Sequence, residues 1–82
     1  MDKRVNDLLA DILEMNPEEL DKLDDNADLR TYSLNSLNAI EFIVGMEEIL
    51  GIQVSNEDLL IENCSTKHKV EQLYNKYKKN IC

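Results

Sequence analysis

The 82-residue sequence has no tryptophan, one phenylalanine, one proline and two glycines. Without large aromatic anchors, a core has to be built mainly from Leu, Ile, Val and Met side chains, which pack well between helices. A chain of this length buries only about 60 to 65% of the surface that its unfolded form exposes. We therefore expect one domain of modest stability, too small to wall off a deep catalytic cleft from water.

Cysteine and histidine are also scarce. Cys64 and Cys82 are too few for a disulfide framework, and with His68 as the single histidine they do not form a Cys-His metal site. We interpret both as free thiols in a reducing compartment, Cys64 as a small buried apolar side chain and Cys82 as part of a disordered chain end. His68 lacks a nucleophile partner and is expected at the surface.

The sequence shows neither a secretion signal nor an apolar run approaching 18 residues. We expect a mature cytoplasmic protein that does not insert into a membrane. Positive charge is in short supply as well, with 9 basic against 17 acidic residues and a net charge of -8. This balance opposes binding to nucleic acid or to an anionic membrane surface, and it favours basic protein partners.

Local patterns divide the first half of the chain into a helix and a loop. Apolar residues recur at helical spacing over residues 3–14, which predicts an amphipathic first helix. Asn16 ends this helix, since the residue before a proline avoids helical angles, and Pro17 opens one short turn through Leu23. Residues 21–34 are predicted to form a long loop, and such loops are often functional.

Acidic and amide side chains crowd this loop, at Asp21, Asp24, Asp25, Asn26 and Asp28. Calcium is the obvious ligand to consider, but the spacing lacks the alternating ligands and the glycine of an EF-hand loop. We predict no metal site. The loop is instead expected to be solvated and pinned to the core by its apolar residues, which are Leu23, Leu29, Tyr32 and Leu34.

The best delimited element is a helix from Ser36 to Leu50, which Asn35 or Ser36 can cap and which Gly51 stops in a left-handed conformation. Further on, Ser55 begins a capping pattern for a short third helix through Ile61. A last helix follows a cap at Ser65 or Thr66, and its predicted apolar stripe consists of Val70, Leu73, Tyr77 and Ile81.

The helix from Ser36 to Leu50 carries two separate apolar groups when it is projected at about 100° per residue. A broad stripe suited to the core consists of Ala39, Phe42, Ile43, Met46, Ile49 and Leu50. A smaller group on nearly the opposite side consists of Leu37, Ile40 and Val44, beside the carboxylates of Glu41, Glu47 and Glu48. Either the helix is buried on two sides, or the smaller group is a docking patch; the acidic rim favours docking.

Ser36 begins this helix, where unpaired backbone amides and the positive end of the helix dipole stabilise a negatively charged phosphate group. An ordinary capping serine would occupy the same position. Position alone therefore leaves both interpretations open.

The wider sequence resembles the acyl and peptidyl carrier proteins. The segments that carry the resemblance are Asp28-Leu29, Leu34-Asn35-Ser36-Leu37, Ile40-Glu41-Phe42 and Glu47-Glu48-Ile49-Leu50-Gly51-Ile52. In that family a modified serine followed by a leucine opens the second helix, and Ser36 and Leu37 match this pair. The resemblance covers nearly the whole chain, and it implies a single carrier domain over residues 1–82. The implied fold is an all-α four-helix bundle, with three main helices, a short third helix and a long loop between helices 1 and 2.

The chain departs from the family pattern at three places near the serine. Asn35 replaces the usual aspartate before the serine, and Asn38 replaces an acid often found two positions after it. In having asparagine before the serine, the chain resembles carriers of peptide-type assembly lines. The glycine common in the preceding loop is also replaced, leaving Tyr32-Ser33-Leu34, so we expect a local difference in that turn.

The resemblance implies that a phosphopantetheinyl transferase links a 4'-phosphopantetheine arm from coenzyme A to the Ser36 hydroxyl. The arm would then carry an acyl, aminoacyl or peptidyl group as a thioester, so that no residue of the chain has to be catalytic. The implied partners are the transferase, a loading enzyme and downstream transferases or synthases, which meet a monomeric carrier. The residues expected to contact partners are Asn35, Leu37, Ile40, Glu41, Val44, Glu47 and Glu48.

Asn35 and Asn38 favour a stand-alone carrier of a specialised nonribosomal-peptide or polyketide pathway. Housekeeping fatty acid synthesis is the alternative pathway. An alternative of another class is a non-carrier acidic helical interaction module, in which Ser36 is only a helix cap.

Overall fold

Helices and short helical turns form the fold of this chain, for which a computed structural model describes residues 3–78. The α-helices are α1 (Lys3–Ile12), α2 (Pro17–Lys22), α3 (Ser36–Leu50) and α4 (Lys67–Lys78). Three 3-10 turns, Leu29–Tyr32, Asn56–Asp58 and Ile61–Cys64, lie in the connections. No strand occurs between residues 3 and 78. The predicted all-α helical bundle is therefore confirmed.

α1 packs against α3 along its apolar face, which includes the fully buried Val5 and Leu9. Gly45 of α3 permits this close approach, because an added Cβ there would lie 2.6 Å from Cδ2 of Leu8. The helix is slightly shorter than predicted, since Glu14 turns into the left-handed region with a φ of 56°.

The core is mainly aliphatic, as the composition predicts. From α3 it takes Ala39, Phe42, Ile43 and Met46, all fully buried, while Ile49 and Leu50 pack at its edge. The apolar stripe of α4 is buried at Val70, Leu73 and Tyr77. The predictions for Ile81 and Cys82 lie outside the described residues.

The segment predicted as a long loop is more ordered than its sequence suggests. It contains the end of α2 and the turn Leu29–Tyr32, and Leu29 is fully buried. Backbone hydrogen bonds tie it to α4 and to the residues just before α4: the amide of Leu29 donates to the carbonyl of Ser65 at 2.7 Å, and the amide of His68 donates to the carbonyl of Asp25 at 3.0 Å. These partners are far apart in sequence, so local patterns do not reveal them.

The chain after α3 begins as predicted, with Gly51 in the left-handed conformation at a φ of 66°. The predicted short third helix consists of two 3-10 turns, and the hydroxyl of Ser55 caps the first by accepting from the amide of Glu57 at 3.4 Å. Of the two predicted caps for the last helix, Thr66 fills the role, since its hydroxyl accepts from the amide of Lys69 at 3.1 Å.

Candidate functional site

Ser36 is the first residue of α3, and its side chain is exposed. The helix is capped by Asn35, which has an extended backbone and whose Oδ1 accepts from the amide of Asn38 at 2.9 Å. The structure thus decides between the two predicted caps in favour of Asn35. The Ser36 hydroxyl is not required for capping, which leaves it available for other chemistry.

Asn38 completes a reciprocal pair with Asn35. The amide of Asn35 donates to Oδ1 of Asn38 at 2.7 Å, and Nδ2 of Asn38 donates to the carbonyl of Ser33 at 2.9 Å. Both polar atoms of the Asn38 side chain are therefore engaged. The two positions where the chain departs from the family's usual acids are in direct contact with each other.

Ser33 adopts a left-handed conformation, with a φ of 85° and a ψ of 4°. Glycine takes this conformation without steric cost, whereas a side chain opposes it. The amide of Leu34 donates to the carbonyl of Leu29 at 3.2 Å and closes the turn. The serine that replaces the usual glycine thus occupies a turn that favours glycine.

The mouth of α3 suits a phosphodiester. The first amides of a helix lack partners within it, and the helix dipole places partial positive charge there. The first turn of α3 holds no acidic residue, so no carboxylate repels a phosphate at Ser36. An exposed hydroxyl at an uncharged helix mouth fits a covalently attached 4'-phosphopantetheine arm.

Leu37, Ile40 and Val44 lie at the surface of α3, with 70%, 42% and 44% of their area exposed, respectively. Burial of this helix on two sides by the described part of the chain is therefore wrong. Apolar side chains of this size, exposed on one helix beside carboxylates, form a surface on which a partner can dock. We call these three residues the α3 patch.

The three predicted carboxylates of the rim differ in their surroundings. Glu41 and Glu48 are exposed. Glu47 is half-buried, and its Oε2 accepts from the amide of Val54 at 2.9 Å. Glu41 and Glu48 are therefore available to a partner, whereas Glu47 holds the chain that follows α3.

A polar cluster that the sequence analysis did not predict joins this following chain to α4. The hydroxyl of Tyr77 donates to the carboxylate of Asp58 and accepts from the amide of Ser55, the latter at 3.1 Å. Nζ of Lys76 also donates to Asp58 at 2.8 Å. These hydrogen bonds from Lys76 and Tyr77 hold the pKa of Asp58 below its usual value. We call these four residues the Asp58 clasp.

Three carboxylates of the acidic loop bind groups of the loop itself or of α4, whereas Oδ1 of Asp21 accepts from Nδ2 of Asn6 in α1 at 3.3 Å. Oδ1 of Asp24 accepts from the amide of Asn26 at 2.8 Å, and Asp25 lies 3.7 Å from Nζ of Lys67. Asp28 caps the turn Leu29–Tyr32, and hydrogen bonds from Arg30 lower its pKa. Among residues 3–78, no group of three or more His, Cys, Asp or Glu side chains is placed to hold a metal ion.

The sequence analysis also considered Cys64 and His68 as candidate reactive groups. Cys64 is fully buried as predicted, and burial raises the pKa of its thiol to about 12. His68 is exposed as predicted. None of the helices in the described part of the chain has the length and apolar character needed to cross a membrane.

An exposed serine at an uncharged helix N-terminus, beside an apolar patch on the same helix, is the arrangement expected of a small helical carrier domain. The model of the family described as "Phosphopantetheine attachment site" matches residues 3–72, which is most of the chain. The chain therefore belongs to the family of carrier domains to which 4'-phosphopantetheine is covalently attached. Neither a curated protein nor a solved structure was found to match the chain.

Membership of this family has general consequences for partners and chemistry. Such carrier domains interact with phosphopantetheinyl transferases and with loading and synthase enzymes. They are generally non-catalytic. The family match covers the position of Ser36 and the α3 patch.

Proposed function

We propose that this chain is an acyl, aminoacyl or peptidyl carrier in which the Ser36 hydroxyl bears the 4'-phosphopantetheine arm. The observation that carries the proposal is the exposed hydroxyl at the first position of α3, which Asn35 relieves of capping. When bound, the arm supplies a terminal thiol that holds the cargo as a thioester. The chain itself holds the phosphodiester at the helix mouth and presents a surface to partner enzymes, without a catalytic residue of its own.

Intact mass spectrometry tests the attachment site. The protein is incubated with a broad-specificity phosphopantetheinyl transferase and coenzyme A, and a mass gain of one phosphopantetheine is expected. Ser36→Ala should abolish this gain. Ser33→Ala, which removes a neighbouring exposed hydroxyl, should leave it intact. Modification of the Ser36→Ala protein would contradict the site, and a wild-type protein that stays unmodified with every transferase would contradict the function.

We propose that the α3 patch, with Glu41 and Glu48, is the surface on which partner enzymes dock. Asn35 and Glu47 flank it, and both engage in hydrogen bonds that shape the ends of the helix. A carrier must leave one enzyme to reach the next, so a small interface with an electrostatic component suits its task. Basic surfaces on the partners would complement these carboxylates.

Charge reversal tests this surface. Glu41→Lys or Glu48→Lys should slow loading without unfolding the domain, because both side chains are exposed and their loss leaves the core intact. Glu71→Lys on α4, an exposed acid on another helix, is the matched control and should load normally. Equal loading of all three variants by the cognate enzymes would contradict the docking surface.

The pathway is a finer proposal that rests on Asn35 and Asn38. The uncharged mouth of α3 favours partners that do not need carboxylates there, and we propose a stand-alone monomeric carrier of a specialised nonribosomal-peptide or polyketide pathway in the cytoplasm. Offering the modified protein to amino-acid-activating enzymes and to fatty acid synthase enzymes separates the two pathways. Efficient loading only by the fatty acid enzymes would contradict the specialised role.

A further inference from the structure

The position of Ser36 depends on a connection of three residues. The turn Leu29–Tyr32 is followed by Ser33, Leu34 and Asn35, and α3 begins at Ser36. Leu34 is buried, with 4% of its area exposed, and it anchors the middle of this connection. The conformation of Ser33 therefore sets the direction from which the chain enters α3.

Asn38 links both ends of this connection through one planar group. Its Nδ2 donates to the carbonyl of Ser33 at 2.9 Å, and its Oδ1 accepts from the amide of Asn35 at 2.7 Å. Both distances lie in the normal range for a hydrogen bond. The side chain thus holds the left-handed turn on one side and the helix cap on the other.

The primary amide of Asn38 makes both bonds because it carries a donor and an acceptor on one planar group. An ionised aspartate has two acceptor oxygens and no donor, so one of its oxygens would face the carbonyl oxygen of Ser33. Alanine would make neither bond. Asn38 is half-buried, which limits the ability of water to replace the missing donor.

We propose that Asn38 is a positioning residue for the modification of Ser36. Its amide nitrogen holds Ser33 in the left-handed turn, and this sets the placement of the Ser36 hydroxyl on the transferase. There the Ser36 oxygen attacks the pyrophosphate phosphorus of coenzyme A that bears the pantetheine, a new O–P bond forms, the pyrophosphate P–O bond breaks, 3',5'-adenosine bisphosphate leaves, and the hydroxyl proton passes to a base of the transferase. The proposal rests on the proposed function of Ser36. It also explains why a serine at position 33 coincides with an amide at position 38 in this chain.

The proposal predicts that the two positions are coupled. Ser33 resists the left-handed conformation and needs the donor of Asn38, whereas a glycine there would adopt it without help. Loss of the donor should therefore impair the wild-type background and have little effect in a background carrying Ser33→Gly. If the substitution Asn38→Asp acted only through its added charge, its effect would be the same in both backgrounds.

The experiment compares wild type, N38D, S33G and the double variant S33G/N38D with one transferase and coenzyme A. We expect N38D to lower the kcat/KM of modification by about tenfold, because small displacements of a reacting group are costly to its rate. The double variant should stay within about twofold of S33G, as expected if the coupling is complete. N75D, which adds the same charge on the exposed face of α4, should modify like wild type.

A second readout needs no transferase. The backbone amide resonances of residues 33–36 should shift in N38D, and hydrogen exchange at the amide of Leu34 should quicken because its bond to Leu29 loosens. Both changes should be reversed in S33G/N38D. Circular dichroism and thermal melting establish that each variant is folded before its rate is measured.

The outcomes separate this proposal from the proposed function. Equal losses for N38D in both backgrounds, or normal modification by N38D, would overturn the positioning role while Ser36 remains the attachment site. A wild-type protein that is never modified would overturn the function, and the positioning role with it. Unchanged amide spectra in a folded N38D protein would contradict the coupling between Asn38 and Ser33 directly.

Discussion

The two ends of α3 are held by different kinds of chemical group. At the N-terminal end, Asn35 and Asn38 exchange hydrogen bonds between neutral amides and the backbone. Beyond the C-terminal end, the carboxylates of Glu47 and Asp58 accept the bonds that hold the following chain. The end at which we propose a phosphate is attached is thus kept free of charge, while negative charge serves the structure at the other end. Four predictions test this difference, from the largest expected effect to the smallest.

Of the four predictions, the one for the Asp58 clasp has the largest expected effect on stability. Tyr77→Phe removes the hydroxyl that bonds to Asp58 and leaves the partly buried amide of Ser55 without its partner. We expect the free energy of unfolding to fall by about 1 to 2 kcal/mol, which urea denaturation measures. Tyr74→Phe is the matched control, because its hydroxyl forms no hydrogen bond with any described residue. Equal losses in the two variants would show that the clasp adds nothing.

The stability of the uncharged N-terminal end of α3 should depend on the side chain of Asn35 and not on that of Ser36. Asn35→Ala removes the helix cap, and we expect a loss of about 0.5 to 2 kcal/mol in the free energy of unfolding. Ser36→Ala changes an exposed side chain that does not cap, and its effect should stay within about 0.5 kcal/mol. Thermal or urea denaturation measures both. A larger loss for Ser36→Ala than for Asn35→Ala would contradict the assignment of the cap.

The left-handed turn before the N-terminal end of α3 should be more stable with glycine in place of Ser33. Ser33→Gly removes the side chain that opposes a φ of 85°, and we expect a gain of about 0.5 to 1 kcal/mol in the free energy of unfolding. Glu14→Gly, at the other non-glycine left-handed position of the described chain, should act in the same direction. Destabilisation by both substitutions in urea denaturation would contradict the strain at these turns.

The two ends of α3 should respond differently to acid. Because the pKa of Asp58 is lowered in the folded protein, its contribution is present above the unfolded pKa of about 3.9 and is lost as the pH falls through the folded value. Protection of the Ser55 amide from hydrogen exchange should therefore decrease below about pH 4, and the Asn38 amide should keep more of its protection. The effect is expected to be small, because Lys76 is exposed and solvent screens the pair.

Asp28 provides a check on this acid response. Its pKa is also lowered and it lies before α3, but its partner Arg30 belongs to the same turn. Protonation of Asp28 should loosen the turn Leu29–Tyr32 before it has any effect on the N-terminal end of α3. Loss of protection at Asn38 and Ser55 at the same pH would show that the two ends do not differ.

Local sequence signals were enough to predict α3 and its exposed patch. The signals are a cap at Asn35 or Ser36, the spacing of Leu37, Ile40 and Val44, and the stop at Gly51. All lie within one helix and its ends, so periodicity and capping preferences reveal them. The buried stripe of the same helix followed from the same periodicity. These features need no knowledge of the rest of the chain.

Other features depend on partners that sequence patterns do not connect. The bond between Asp58 and Tyr77 joins residues 19 positions apart, and the turn at Leu29 relies on the carbonyl of Ser65. The sequence identifies Asn38 only as a departure from the family pattern. Its capping role is not predicted, because the usual capping box has Glu or Gln at its third helical position. Its donor to Ser33 became visible only once the left-handed turn was known.

The burial of Cys64 bears on how long a cargo survives. A thiol attacks a thioester only as the thiolate, and a pKa of about 12 leaves almost none of it ionised at neutral pH. Full burial also keeps an acyl group from reaching the sulfur atom. Cys64 is thus a poor acceptor for a cargo carried at Ser36, the proposed attachment site.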